Sequence, residues 1–148
     1  MTKMISCILM LVLVVSMIFA GCSSIEKNAD TVTQSVEASD FVLEVTTPTA
    51  IDTGEAIKVK GTLKYTGVEP IGVSHGEPII RFFFSGSNEE RSYSDKGYLT
   101  EFKSGQIVEV EDEFIATKKG KQNLFVKIDG FSSKDISLTM NPIKILVK

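Results

Sequence analysis

The chain has 148 residues, a net charge of −3, one histidine and two cysteines. That length suits one ordinary hydrophobic core, and the weak negative charge without a basic stripe argues against a nucleic-acid surface. One histidine with so few cysteines leaves a zinc site short of ligands, and no phosphate-cradling glycine loop or dinucleotide fingerprint occurs, so neither metal nor cofactor is expected.

Residues 5–20, ISCILMLVLVVSMIFA, carry no charge and no proline, and follow Lys3. A positive start, an apolar middle and a small-residue end describe a secretory signal. Sixteen helical residues reach ~24 Å, short of a ~30 Å hydrocarbon core. The alternative is an uncleaved anchor helix, since extension to Gly21 approaches spanning length.

The residues that close this run, Phe19-Ala20-Gly21-Cys22, resemble the lipobox of bacterial lipoproteins. The resemblance implies a diacylglyceryl group on the Cys22 thiol, cleavage before Cys22, and placement at the extracytoplasmic face of the cell membrane. Phe19 departs from the commoner leucine. Small side chains suit a peptidase cleft, and a thiolate is a strong alkylation nucleophile. A disulfide for Cys22 has only Cys7, inside the apolar run, as partner. The domain beyond is therefore expected to fold without disulfides.

Residues 22–40 then read as the lipidated cysteine and a flexible tether, with scattered apolar residues and a net charge of −3. A short helix over 25–36 is the rival, with too sparse a face. Residues 41–148 are expected to form one domain.

From Phe41 the period is two. FVLEV places Phe41, Leu43 and Val45 on one face, and Pro48 ends the strand. AIKVKGTLKY sets Ile57, Val59, Leu63 and Tyr65 against Lys58, Lys60, Thr62 and Lys64, the pattern of a half-buried strand. Gly61 within it signals a bulge or a close approach. PIIRFFF follows, with Phe82 and Phe84 opposed to Arg81 and Phe83, and its three phenylalanines read as core from two faces. SYSDKGYLTEF predicts a weak strand around a Lys96-Gly97 turn. QIVEVEDEFIA alternates Val108, Val110 and Phe114 with Glu109, Glu111 and Glu113. NLFVKID, ISLTM and IKILVK complete seven or eight strands with no helix after the signal.

Short strands separated by turn signals over this length predict an all-β antiparallel sandwich. The strands at 54–63, 104–114 and 119–128 resemble those of immunoglobulin-like bacterial surface domains, and more loosely the proteinase-inhibitor-like sandwich domains of Bacillus-type proteins. The antibody Cys–Trp–Cys set is absent, so the resemblance implies an immunoglobulin-like sandwich and not an antibody domain.

The sole histidine, His75, lies in SHGEP. It is the base that a hydrolase would need, with Ser74, Ser85 or Glu77 near in sequence, yet nothing in the spacing selects a partner. A histidine flanked by glycine and proline reads first as a surface turn residue. Arg81, among Ile79, Ile80 and three phenylalanines, is a candidate interface anchor or a solvent-facing strand residue. Glutamates 109, 111 and 113 point along one solvated side about 7 Å apart, which does not enclose an ion, so they read as a charge-blunted strand and no metal is expected. The expectation is a membrane lipoprotein of non-catalytic binding or scaffolding type, with His75 and Arg81 as partner contacts. The alternatives are a proteinase inhibitor, in which a loop such as Gly67 to Pro78 enters a protease cleft, and a hydrolase using His75.

Overall fold

A computed structural model describes residues 30–131 and 135–148; the signal segment and Cys22 lie outside them. The described chain is all β, in ten strands: β1 Thr31–Ala38, β2 Phe41–Pro48, β3 Ala50–Ile51, β4 Ala56–Tyr65, β5 Ile71–Phe84, β6 Ser94–Phe102, β7 Ile107–Ile115, β8 Gly120–Phe131, β9 Asp135–Thr139 and β10 Ile143–Val147. One sheet has the order β1-β2-β4-β7. The other runs β3-β10-β8-β5-β6, with β9 also on β8. All ladders are antiparallel except the short β3–β10 pair. The two sheets face one core in a sandwich-like arrangement.

That core is the one the alternation dictates. Phe41, Leu43 and Val45 of β2 are buried, as are Ile57, Val59, Leu63 and Tyr65 of β4. Ile80, Phe82 and Phe84 of β5 and Leu124, Val126 and Ile128 of β8 meet them from the second sheet. Gly61 is a close approach and not a bulge: both ladders of β4 run through it without a slip. A Cβ there would lie 2.8 Å from Cζ of Phe82 and 3.1 Å from two side-chain carbons of Ile80. The missing side chain is what lets the two sheets close at their centre.

The first sheet differs from expectation at its start. Much of the stretch read as tether is strand β1, paired along its whole length with β2. The period is two after all: Val32, Gln34, Val36 and Ala38 are half-buried, while Thr31, Thr33, Ser35 and Glu37 are exposed. Only alternate positions on one edge strand are apolar, too few to stand out from a linker. The connection is Ser39-Asp40, both with positive φ (51° and 65°). That is the geometry of a two-residue type I′ turn, written here without the Asn-Gly or Asp-Gly that announces one. Carbonyl Asp40 then accepts from both the amide and the hydroxyl of Thr66, lashing the turn to the neighbouring loop.

Three further features were not legible. β3 exists because the chain leaves the first sheet at Pro48, which lacks the amide to extend the ladder, and two residues join β10 in parallel. Lys96-Gly97 is not a turn: β6 is continuous, and its ladder with β5 shifts register between His75 and Glu77. β9 and β10 lie end to end on one edge of β8, with one residue more between Thr139 and Ile143 than between Leu124 and Lys127. Asn141-Pro142 takes up the difference.

The ends of the sandwich are distinct. One end gathers Asp30, Thr49 and the 116–119 turn; Thr49 donates its amide to the Asp30 carbonyl. The opposite end gathers the Ser39-Asp40 turn, the 66–70 loop and the 103–106 turn. Tyr65 links the last two, donating its amide to Gln106 and accepting from Gly105. Phe41, Tyr65 and Phe102 pack as an aromatic cluster beneath, with centroids 4.9–6.4 Å apart.

Candidate functional site

His75 is not in a turn. It lies on β5, paired with Tyr98 of β6, and is 7% exposed. Its Nδ1 lies 2.6 Å from the Gly76 carbonyl, so Nδ1 carries the proton. Nε2 lies 2.8 Å from Oγ1 of Thr100 and accepts the hydroxyl proton in that tautomer. The Tyr98 ring stacks 6.4 Å away. Neither hydrogen-bond partner is a carboxylate, and the candidates Ser74, Ser85 and Glu77 are not among those partners. Ser85 bonds Gln122 and the Asn123 amide at the far end of β5, while Glu77 stands opposite Ser94. The imidazole is held as a satisfied, buried polar group. His75→Ala is expected to lower stability by about 1–3 kcal/mol, because the Thr100 hydroxyl and Gly76 carbonyl lose a partner in a partly buried place. A thermal melt of the variant checks it.

Residues 71–78, most of the loop expected to enter a protease cleft, are strand and not loop. Only residues 66–70 project. There the Tyr65 hydroxyl donates to the Glu69 carbonyl at 2.6 Å, and Val68 at the apex is 84% exposed.

Arg81 does sit on the outward face of β5. One nitrogen donates to the Ser94 carbonyl at 3.2 Å, and the guanidinium lies 5.4 Å from the Tyr93 ring centre. Tyr93 meets Phe83 edge-on at 5.2 Å, and its hydroxyl donates to the Phe82 carbonyl. Burial, then the charge of Asp112, push the Tyr93 pKa up against the cations Arg91 and Arg81. The phenol therefore stays a donor. Directly across the ladder, Phe83 faces Phe125 and Arg81 faces Lys127. The middle of this sheet face is thus an aromatic pair beside a cationic pair.

The segment 85–93 is the feature that sequence reasoning missed. It runs from β5 to the free edge of β7. Arg91 bonds Glu89 at 2.9 Å and Asp112 at 3.3 Å, and its guanidinium covers the Phe114 ring at 4.5 Å. It also donates to the Glu113 carbonyl, while a Glu89 oxygen accepts from the Ile115 amide at 3.4 Å. Two side chains that pair with each other thus occupy two backbone groups of the β7 edge, which would otherwise template another strand. Phe83, Phe84, Phe114 and Phe125, with Ser85, Glu89, Glu90 and Arg91, line an open cleft of about 500 Å3 beside it. An arginine followed at 93 by tyrosine, ahead of an edge strand with an inward Asp112, was the available signal. The pairing is long-range, so no local pattern marks it.

Glutamates 109, 111 and 113 lie on the solvated side of β7, facing Thr62, Lys60 and Lys58. Lys60 pairs with Glu109 at 3.0 Å. Among the described residues no group of His, Cys, Asp and Glu is placed to hold a metal ion.

No protein-family model matches the chain, and no curated protein does either. Among solved structures it is similar to β-glucosidase from Listeria innocua. In complex with glucose that enzyme gives 15% identity and a TM-score of 0.41, over 72% of this chain and 16% of the enzyme. In complex with isofagomine it gives 12% and 0.38, over 81% of this chain and again 16% of the enzyme. The chain thus spans about a sixth of those enzymes, and so distant a likeness says nothing of its function.

Proposed function

We propose that this chain is a lipoprotein anchored through Cys22 at the extracytoplasmic face of the cell membrane, whose immunoglobulin-like domain binds or scaffolds without catalysis. The observation that carries the proposal is Phe19-Ala20-Gly21-Cys22 at the end of an uncharged apolar run. Two acyl chains on one cysteine give stable anchoring where a single chain is marginal. The strand order supports the immunoglobulin-like assignment. In the usual lettering β2, β4 and β7 take the places of strands A, B and E. The short β3 takes that of a split first strand on the last, and β10-β8-β5-β6 take those of G, F, C and C′. The fully engaged ring of His75 supports a non-catalytic role over a hydrolase.

Cys22→Ser is expected to abolish incorporation of labelled fatty acid and to leave the uncut precursor in the membrane. Metabolic labelling with mass analysis of the N-terminal peptide checks both. Labelled, shortened protein from that variant would refute the anchor.

One observation favours a second reading, a proteinase inhibitor: the braced 66–70 loop presents Val68 on the end remote from Thr31. Titration of extracellular proteases with the protein, and with Val68→Asp, tests it.

A further inference from the structure

We infer that the sandwich has an open strand position beside β7, and that it takes an extended segment of a protein partner in which basic and apolar residues alternate. The inference rests on the binding role proposed above and not on the anchor.

The outer edge of β7 is guarded along only part of its length. Successive residues of an antiparallel strand turn their amide and carbonyl to opposite sides. At the two ends of β7 the Ala116 amide bonds Glu55 and the Gln106 carbonyl accepts from Tyr65, so the even-numbered residues face the β4 side. The ladder between them runs without a slip. The odd-numbered residues therefore face away from β4. The Ile115 amide and the Glu113 carbonyl do so, and Glu89 and Arg91 hold them. The Glu113 amide bonds the Asp112 side chain. Past these three side chains, the amides and carbonyls of Ile107, Glu109 and Glu111 share that edge, with no hydrogen bond to them among the described residues. Such an edge templates a further strand.

The other sheet extends beneath that place. β7 lies over β5, and β6 is the next strand out from β5. The 103–106 turn joins β6 to β7, so residues 98–102 and 107–111 lie at the same end. The inward side of β6 carries buried Phe102, the Thr100 that bonds His75, and Tyr98, which is 44% exposed. Val108 and Val110, on the inward side of β7, pack on the core and are still only half-buried. A strand added beside β7 would set its inward side chains on Tyr98 and against these valines, which calls for apolar residues. Its outward side chains would stand beside Glu109 and Glu111. Lys60 pairs with Glu109 at 3.0 Å, whereas Glu111 has no ion-pair partner among the described residues. On the inner flank β4 sets Lys58 and Lys60 across from Glu113 and Glu111; cations on the added strand would do the same on the outer flank. A second copy of the chain fits less well. Two β7 edges paired antiparallel about Val110 oppose Glu109 to Glu111, and like charges directly opposed destabilise a ladder.

Amide exchange followed by NMR reads the pairing residue by residue. Full-length protein in detergent micelles would be given the peptide acetyl-Lys-Val-Lys-Val-Lys-Val-amide. Exchange at Ile107, Glu109 and Glu111 is expected to slow about ten-fold or more, while Val108 and Val110, which already face β4, change little. The glutamate-valine counterpart should give no slowing. Glu109→Gln with Glu111→Gln should weaken binding of the lysine peptide about five-fold or more, and raised salt should weaken it too. No slowing at the three amides overturns the inference, and so does equal slowing by both peptides. Slowing that appears without peptide as protein concentration rises also overturns it, since a second copy is then the occupant. Slowing confined to β1 or β6 overturns it while leaving a binding role elsewhere on the domain. The mass of the Cys22 peptide from the same sample reads the anchor separately, so a failed anchor and a failed edge are told apart.

Discussion

Val59→Asp is expected to unfold the domain at ordinary temperature, whereas Lys58→Asp should leave it folded. Val59 is 1% exposed and lies in the shared core. A carboxylate there gains no cation and loses its water, which costs several kcal/mol against a total stability of about 5–15 kcal/mol. Lys58 is exposed on the other face of the same strand. It stands opposite Glu113 on β7, so the change places two like charges across the ladder and costs at most about 1 kcal/mol. Thermal melts followed by circular dichroism separate the outcomes: loss of the β signal for one, a shift of a few degrees for the other. Similar melts for both variants would show that β4 does not face the core as described, because a one-residue slip exchanges the two faces.

The second large effect is a coupled one at the centre of the sandwich. Gly61→Leu drives a side chain into Phe82 and Ile80 of the facing sheet and should cost about 1–3 kcal/mol or more by overpacking. Phe82→Ala empties the same space and should cost about 3–5 kcal/mol. Combined, the leucine at 61 enters the volume that the ring vacated. The double variant should therefore be more stable than the sum of the single losses implies, by about 1–2 kcal/mol. Denaturant unfolding of the four proteins completes the cycle. Additive losses would mean that Gly61 is not set by the Phe82 ring.

Several elements could be read before any coordinates, and for one reason. β2, β4, β7 and the second half of β5 are half-buried strands, so their apolar residues fall at every second position and declare both strand and face. Phe41, Val59 and Phe114 fall on the buried side by that rule alone, whereas the three phenylalanines of β5, expected in the core from two faces, divide into buried Phe82 and Phe84 and an outward Phe83 that is 39% exposed. Arg81 was placed outward by the same parity. β1 escaped because an edge strand with one half-covered face needs few apolar residues. Gly76 and Pro78 make His75 read as a turn residue, but β5 runs on through them, pairing His75 with Tyr98 and Glu77 with Ser94 on either side of a register shift at Gly76. The burial of His75 depends on Thr100 and Tyr98, more than twenty residues along the chain.

What the sequence by itself determined is therefore the class of structure and its inner face. These depend on periodicities and motifs confined to neighbouring residues. Only the tertiary structure decided that Thr31–Ala38 is a paired strand, that residues 85–93 close the β7 edge through Arg91 and Glu89, and that Phe83 stands across the ladder from Phe125. Each of these joins residues from separate strands. Strand alternation states which side of its own strand a residue occupies, but not which strand lies beside it; pairing and register are settled by the packing of the whole sandwich.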